Sequence, residues 1–543
     1  MGLAKTQDLV FTEFKGVDYR SNPLSVDTEH YSGDCRNCVG HGQELWKRPG
    51  MKRWGAAFTA LVTDMVGWRP ASGLALHEAV FLSLTYNGQA NHFLPLSYLD
   101  PCTTYIGTIP PMTGPTAWTQ VTGAAFGGGY ASELEPCDTL LWRTSATAGF
   151  GGGSARVIKN NNGVYTESPP SASPIGLYGS STWHKRTLWH LRNASSYAVP
   201  ATFEWSDIDA PDSPYPPANI DKLDPRGAVS GLRGMVSMGE HAYIGGVDRT
   251  YLLTGATTQD FKIQQLPSEE GMVGKRSWVR VNGMAVGFTC KRRVSDRPDI
   301  DVMAYEVHDI SAWDGATPKP IGEAIRPIID GLNPIGYGFL EYTRACGWGA
   351  EHYAMFLANA YQWSVTGGNS TMFVLDTLPG GGGFWFWEVG QQSPYHISTI
   401  AEIGGIPLLA STSGYLVTPD WDTSNDEQIG YDAYWSWKNP EPHNKVSIEK
   451  VFVVGNQASG NQWSLRISVN GQNWYNYSRP FTPSPNGTLI SLEGCVKAAN
   501  DVKVGIFFGS TSTRAHLDRA VISVKGMDRI GEVNVQYGTG SGD

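Results

Sequence analysis

The chain has 543 residues and a formal net charge of −10, which allows several domains and argues against a dedicated sequence-reading nucleic-acid binder, because such a domain is strongly basic. A hydrophobic fraction of 41% excludes global disorder, and no apolar run approaches the ~18 residues of a membrane-spanning helix. With 64 glycines, 33 prolines, 62 aromatic rings and only 17% charged residues, the composition suits many short strands joined by tight turns.

The N-terminus "MGLAKTQDLVF" lacks the apolar centre of a signal peptide. Gly2 and Thr6 match a myristoylation pattern, but no polybasic second signal follows, so no membrane anchoring is expected. Cys35 and Cys38 form a CxxC with His41 nearby, which is one ligand short of a structural zinc site. Seven cysteines, the other five solitary, therefore read as reduced thiols; no metal and no cofactor is expected. Next comes "QELWKRPGMKRW". Pro49 and Gly50 predict a type II turn that starts the fold, with Trp46 and Trp54 as packing anchors. Lys47, Arg48, Lys52 and Arg53 would face an acidic neighbour ahead of DNA. Residues 1–56 are taken as an N-terminal segment leading into the fold.

Beyond it the pattern is of strands. "AVFLSLTYNG" (79–88), "SARVIKNNNGVYTES" (154–168), "SWVRVNGMAVGF" (277–288) and "SLRISVNGQNWYNY" (464–477) alternate or run apolar, and helical periodicity is almost absent. Asn-Gly at 87–88, 162–163, 282–283, 470–471 and 486–487 predicts type I′ hairpins, since both residues accept positive φ. Hairpins such as "HAYIGGVDRTYLLTG" (241–255) and "GGIPLLASTSGYLVT" (404–418) recur every 40 to 60 residues from 57 to 425. That period predicts a divergent β-propeller of six or seven blades. The Gly-rich words "GAAFGGGYA" and "AGFGGGSA" and the connector "ESPPSASP" mark an inserted region at about 96–180. The polar stretch "DWDTSNDEQ" (420–428) reads as a linker, and residues 426–543 as a β-sandwich-like domain. The fold class is all-β.

The chain has no HExxH, GxSxG or Rossmann word. "EEGMVGKRS" fails as a P-loop, because Glu269 stands where the first Gly belongs and Arg276 where a magnesium-binding hydroxyl belongs. Acids cluster in "WSDIDAPD" (Asp207, Asp209, Asp212) and "SDRPDIDVMAYE" (Asp296, Asp299, Asp301, Glu306). A propeller glycosidase would need such acids to converge over a central pocket; in Pro-containing loops they more commonly cap turns. "SVNGQNW" (468–474) has the form of a sugar-stacking hairpin carrying Trp474, with Asn470 in place of the usual Asp. The basic words "HKRTLWHLR" (184–192) and "CKRRVSDR" (290–297) fit strand edges protected by cations. No catalytic residue is assigned, and no enzyme is expected.

Several phrases together resemble a broad group of tailed-phage virion proteins, the podovirus-type tail nozzles, also called packaged-DNA stabilisation or tail tubular proteins. A "G-x-d-x-R-s-x-P" phrase is met by Gly16, Asp18, Arg20, Ser21 and Pro23, and is followed by Asn37 and by an "L-x-k-R-P-G" word at Leu45, Lys47, Arg48, Pro49 and Gly50. "STWHKRTLWHLRNASS", "TFEWSDID", "GLRGMVSMGEHAYIGGVDRTYLLTG" and "GMVGKRSWVRVNGMAVGF" continue the likeness in order, to about residue 420. The resemblance implies propellers in a hexameric ring below portal and adaptor. Such a ring prolongs the DNA channel, retains packaged DNA and docks fibres, spikes or a needle. It implies a place in the virion tail, after assembly in the bacterial host's cytoplasm, with a homo-oligomer, the adaptor and non-specifically passing DNA as partners. Another tail hub or fibre-docking protein is the nearest alternative, and a propeller-type glycan hydrolase or lyase the next.

Overall fold

The computed structural model describes residues 6–526 apart from internal stretches, the longest being 19–33, 69–78, 96–117, 146–153, 172–177, 193–201, 224–231, 293–304, 333–342, 359–369, 390–396, 470–476 and 493–498. The described chain is all-β and forms two compact units. Residues 49–431 make one; residues 1–48 and 432–543 together make the other.

The first unit is a seven-bladed β-propeller of antiparallel four- and five-stranded sheets. The first strand of each blade packs beside the first strand of the next. The ring runs through Leu61–Trp68, Ser132–Pro136, Tyr178–His184, Gly234–Ser237, Trp278–Val281, Arg344–Trp348 and Ile397–Ile403, and returns to Leu61–Trp68. Alternation puts every second residue of a strand between its blade and a neighbour, so the core is a set of inter-blade layers. Val66 and Trp68 of the first blade meet Leu134, Leu141 and Ile158 of the second. Met238 and Tyr243 of the fourth meet Trp278 and Trp313 of the fifth.

The seventh blade is completed from the other end of the sequence. Strands Ile397–Ile403, Ile406–Ser411 and Tyr415–Asp420 are joined by Gly50–Trp54, with register from Asp420↔Gly50 to Leu416↔Trp54. Trp54 is 2% exposed and lies among Val62 and Met65 of the first blade and Ile403, Leu408 and Leu416 of the seventh. One indole therefore fills the seam at which the ring closes. Burying a ring of that size is worth several kcal/mol, on the order of 3–5 when it is lost to Ala.

The second unit is a β-sandwich. One sheet contains Thr6–Phe11, Cys38–His41, Glu44–Lys47, Ala515–Gly526, Val446–Gln457 and Thr488–Ser491; the other contains Asp34–Arg36, Ala433–Lys438, Val502–Phe508, Trp463–Val469 and Tyr477–Phe481. Phe11 and Phe14 meet Trp435 edge-on at 4.9 and 5.7 Å and so join the two sheets. The burial of Val446–Gln457 alternates along most of its 12 residues, as one-sided burial requires.

These units correct three boundaries. Residues 1–56 are not a segment of their own: four of their strands belong to the sandwich and the fifth to the propeller, because a strand edge is stabilised wherever it pairs, however distant in sequence. The region 96–180 is not an insertion between blades, since 132–168 is the whole second blade and Trp118–Gln120 and Phe126–Gly127 extend the first. The acidic stretch at 420–428 is no free linker either: Asp426 is buried and its Oδ1 accepts from Met51 N–H at 3.1 Å.

Candidate functional site

The word "LWKRPG" stands where the chain leaves the sandwich, between Arg48 and Pro49. It is not a type II turn. Gly50 stays out of the positive-φ region and already pairs with Asp420, so the chain crosses in an extended form, which the residue before a proline favours. Arg48 is 1% exposed; its Nε donates to Asn37 Oδ1 at 3.0 Å and its backbone N–H to Asn37 O at 2.9 Å. Asn37 in turn donates from Nδ2 to Asp432 O at 2.7 Å. Asp432 is the first residue after the chain returns to the sandwich. One side chain thus ties the outgoing strand to the incoming one. Asn37 has φ 54°, a conformation that asparagine tolerates better than most residues, and Gly16 of the same phrase has φ 112°.

Two of the four cations of this stretch are buried and two exposed. Lys47 is buried and donates from Nζ to Gly509 O at 3.3 Å, so it and Arg48 do not face a neighbour. Lys52 is half exposed and reaches Asp420 at 3.4 Å; the Arg53 guanidinium lies 4.1 Å above the Tyr415 ring. Trp46 is half-buried and stacks on His516 at 4.5 Å, while its Nε1 donates to Glu44 at 2.9 Å. Glu44, His516 and Asp518 offer ligand atoms within 4.8 Å of one another, yet His516 already meets Asp518 at 3.2 Å and Glu44 accepts from Trp46, so the group coheres without an ion. Cys35 and Cys38 are buried and reduced; burial, and then the hydrogen bond with Cys38, holds the Cys35 thiol well above its usual range.

The densest polar cluster was not singled out from sequence. It lies at the propeller axis. The inner edge of the fifth blade is split into Gly271–Met272 and Trp278–Val281, with a 3₁₀ turn, Lys275–Ser277, between them. That turn holds Lys275 and Arg276, the residues of the failed P-loop word. Lys275 bonds Glu135 and Ser181 O, on the second and third blades. Arg276 bonds Asp64 of the first blade at 2.8 Å and Leu134 O of the second. Asp64 also accepts from Leu134 N–H at 2.7 Å, and Glu135 from Trp183 N–H at 2.5 Å. One turn of the fifth blade therefore braces three others across the axis. Burial opposes charge on Arg276, but Asp64, Glu133 and Glu135 outweigh it and hold its pKa above the usual value. Burial raises the pKa of Glu133, with Asp64 adding to it and Lys275, Arg276 and Arg344 opposing. Asp64 and Glu135 are committed to cations and backbone amides, and Glu133 accepts from Ser180 Oγ at 3.0 Å, an arrangement suited to holding blades in place.

A second buried chain of hydrogen bonds adjoins it. Ser181 Oγ and His190 Nδ1 are 2.7 Å apart, His190 Nε2 and Tyr215 Oη 2.6 Å, and Tyr215 donates to Pro211 O at 3.1 Å. That last donation makes Nε2 the protonated nitrogen, so Ser181 donates to Nδ1. Burial, then Lys275, depresses His190 to about 3, and burial, then Lys185, depresses His184 to about 4. Both rings are neutral near pH 7.

The loop acids act as caps. Asp209 pairs with Arg186, Asp207 accepts from Asn219 at 3.3 Å, and Asp212 binds Lys159 and both Ser171 N–H and Oγ. Lys185 and Arg186 of "HKRTLWHLR" form the two-residue hairpin turn itself, at φ 47° and 62°. Asp296, Asp299, Asp301, Asn470 and Trp474 lie outside the described residues, as do Arg20, Ser21 and Pro23.

No known family and no characterised sequence matches the chain. Solved structures similar to it include the Pan2 WD40 domain of Neurospora crassa, at 10% identity and TM-score 0.37, covering 70% of this chain and 97% of that one. The periplasmic gluconolactonase PpgL of Pseudomonas aeruginosa is similar at 12% identity and TM-score 0.34, covering 67% and 92%. An exo-β-1,3-galactanase of Phanerochaete chrysosporium is similar at 9% identity and TM-score 0.27, covering 87% and 100%.

Proposed function

We propose that the chain is a structural virion protein, the repeating subunit of a hexameric ring in a podovirus-type tail nozzle. In that role it extends the DNA channel below portal and adaptor, retains packaged DNA and docks fibres, spikes or a needle. The observation that carries the reading is the N-terminal phrase shared with that group. Its Gly16 and Asn37 hold positive φ, and its Arg48 bonds Asn37 where the chain leaves the sandwich. Such a phrase serves wiring and not chemistry, as a scaffold requires. The charge of −10 fits as well, since a ring of acidic subunits repels the phosphate backbone and lets DNA pass without adhering.

A second reading, a propeller-type glycan hydrolase or lyase, draws on Asp64, Glu133 and Glu135 at the axis. Glycoside hydrolysis needs an acid and a base facing the substrate. Here Asp64 and Glu135 are bound to Arg276 and Lys275, which weighs against it.

Negative-stain imaging of the full chain with portal and adaptor rings tests the first reading. Six-fold rings stacked on the adaptor are expected, and persistent monomers that never join it would overturn the proposal. Polysaccharide cleavage that is lost in Glu133→Gln would put the second reading first.

A further inference from the structure

The outer face of one sandwich sheet carries an apolar row that crosses four strands. Val10 pairs with Val521, Val521 with Phe452, and Phe452 with Leu489. Alternation turns all four away from the core, since their neighbours Phe11, Ile522, Val451 and Ile490 are buried. Among the described residues three large apolar side chains are exposed, and two of them, Val10 at 43% and Leu489 at 61%, stand at the two ends of this row. Phe452 and Val521 between them are half-buried. The Phe452 ring lies against Gly487, where a Cβ would collide with it. Single exposed apolar residues need no explanation; four in line on one face of a sheet do.

Cations flank the row. Lys450 stands two residues from Phe452 on one side, and Arg519 two residues from Val521 on the other. Both are exposed, and neither has an ion pair or side-chain hydrogen bond among the described residues. The nearby Glu449 is already held by Thr6 and Lys525. The size of the row narrows what covers it. Four strands place its ends about 14 Å apart, whereas a stable globular partner takes about 800 Å² from each side. The row fits one extended segment, and the chain supplies one. Residues 527–543 lie outside the described residues and follow directly on Ala515–Gly526, the strand that carries Val521. In "MDRIGEVNVQYG" Val533, Val535 and Tyr537 alternate with Glu532, Asn534 and Gln536, the pattern of a strand with one apolar face. Extended, Val533 to Tyr537 covers about 13 Å, close to the length of the row. The row lies five residues back from Gly526, about 17 Å, and the six residues from Met527 to Glu532 reach about 20 Å. The segment is also acidic, with Asp528, Glu532 and Asp543 against Arg529.

We propose that the chain's own segment 533–537 docks across this row, with Val533, Val535 and Tyr537 turned down onto Val10, Val521, Phe452 and Leu489. A strand laid that way directs its backbone carbonyls sideways, where Lys450 and Arg519 donate to them. Covalent attachment holds the segment at an effective concentration on the order of millimolar, so a contact made by three apolar side chains suffices. The proposal is independent of the nozzle reading, because it concerns the sandwich alone.

The test is photo-crosslinking of the full chain with p-benzoylphenylalanine in place of the exposed Leu489, an exchange that keeps the row apolar. Mass spectrometry is expected to map the cross-link to residues 530–537, in a product of single-chain mass. In a mixture of heavy- and light-isotope chains the joined peptides should carry one label only. Mixed labels would make the occupant a second copy and overturn the proposal, as would cross-links elsewhere or none at all. Hydrogen exchange supplies a second readout. The amides of 533–537 are expected to exchange about tenfold more slowly than unprotected chain, and Leu489→Asp or Val535→Asp should return them to the unprotected rate. Protection that Leu489→Asp leaves unchanged would place the segment elsewhere and overturn the proposal too.

Discussion

Replacing Arg276 by Met removes the brace's longest reach while keeping the apolar stem. Asp64 is 2% exposed and would keep only the Leu134 N–H as a known donor. At an effective dielectric of about 20, a pair about 4 Å apart between charge centres is worth ~4 kcal/mol, and stranding one buried partner typically costs about 3–5 kcal/mol. Arg276 is about a fifth exposed, so the lower end, about 3 kcal/mol, is the expected loss. Neutralising the stranded acid as well should recover most of it: Asp64→Asn with Arg276→Met is expected to lie within about 1–2 kcal/mol of the parent, a coupling of about 2 kcal/mol or more. Hydrogen exchange read by mass spectrometry on the Ser132–Pro136 strand is the assay, because the Leu134 amide is itself bonded to Asp64. Arg186→Met, which breaks an exposed pair with Asp209, serves as the control. If Arg276→Met loosens this strand no more than that control does, or if the double variant simply adds the two single losses, the brace is not what holds the blades.

Other perturbations test the remaining joints. Gly234→Ala would place a Cβ 2.6 Å from the backbone of Lys275, which cannot yield like a side chain, so a loss of about 1–3 kcal/mol is expected, with faster exchange in the same Ser132–Pro136 strand. Asn37→Gly keeps the φ of 54° but loses the amide bonds and should cost about 1–3 kcal/mol in urea denaturation, while Asn37→Ala adds roughly 1 kcal/mol of strain; Ala equal to the parent would refute the tie. Trp54→Ala should cost about 3–5 kcal/mol and raise proteolysis of the first and seventh blades together. For pH, His190 and His184 are depressed in the folded chain to about 3 and about 4, so the unfolded chain binds more protons as pH falls below about 6.5. Stability is then lost from about pH 6.5 downwards, by roughly 2 kcal/mol per ring at pH 5, with the raised Glu133 and Glu167 opposing. His190→Gln should flatten the stability-versus-pH slope by one ring's share; an unchanged slope would mean that His190 is not buried and neutral.

Local chemistry was readable from sequence wherever the deciding partner was near. Asn282 and Gly283 sit at φ 47° and 78° in the hairpin that Asn-Gly implies, and the "GGIPLLASTSGYLVT" hairpin pairs Ser411 with Tyr415 across a turn that ends on Gly414 at φ 90°. Asn-Gly misled at 486–487. Gly487 does have φ 90°, but the strands on either side, Tyr477–Phe481 and Thr488–Ser491, lie in different sheets. A turn dipeptide specifies a reversal, not which strand is met afterwards. The axial brace shows the same limit more sharply: Lys275 and Glu135 are 140 residues apart, Arg276 and Asp64 212. "SELEP" and "GKRS" carry no mutual signature, and only closure of the ring brings them together.

The basic N-terminal word brings both limits into one place. Read locally, "KRPG" is a turn with cations to spare, because Pro and Gly are individually at home in turns. Its conformation is decided by pairing that proximity does not reveal: Gly50 with Asp420, Lys52 with Thr418, and Arg48 with Asn37. Extended backbone at Pro49 lets one continuous stretch serve two units, Glu44–Lys47 in a sandwich sheet and Gly50–Trp54 in the last blade. The positive charges follow from that job. A buried Arg48 at the crossing can donate to a side-chain oxygen and hold it in direction, which an apolar residue could not do, while Lys52 and Arg53 settle on Asp420 and Tyr415 of the strand they pair with. A substitution that keeps charge but loses the planar fork, Arg48→Lys, should therefore harm the chain nearly as much as Arg48→Met. If Lys substituted freely, the word would be a charge patch after all, and a ligand for it would have to be sought.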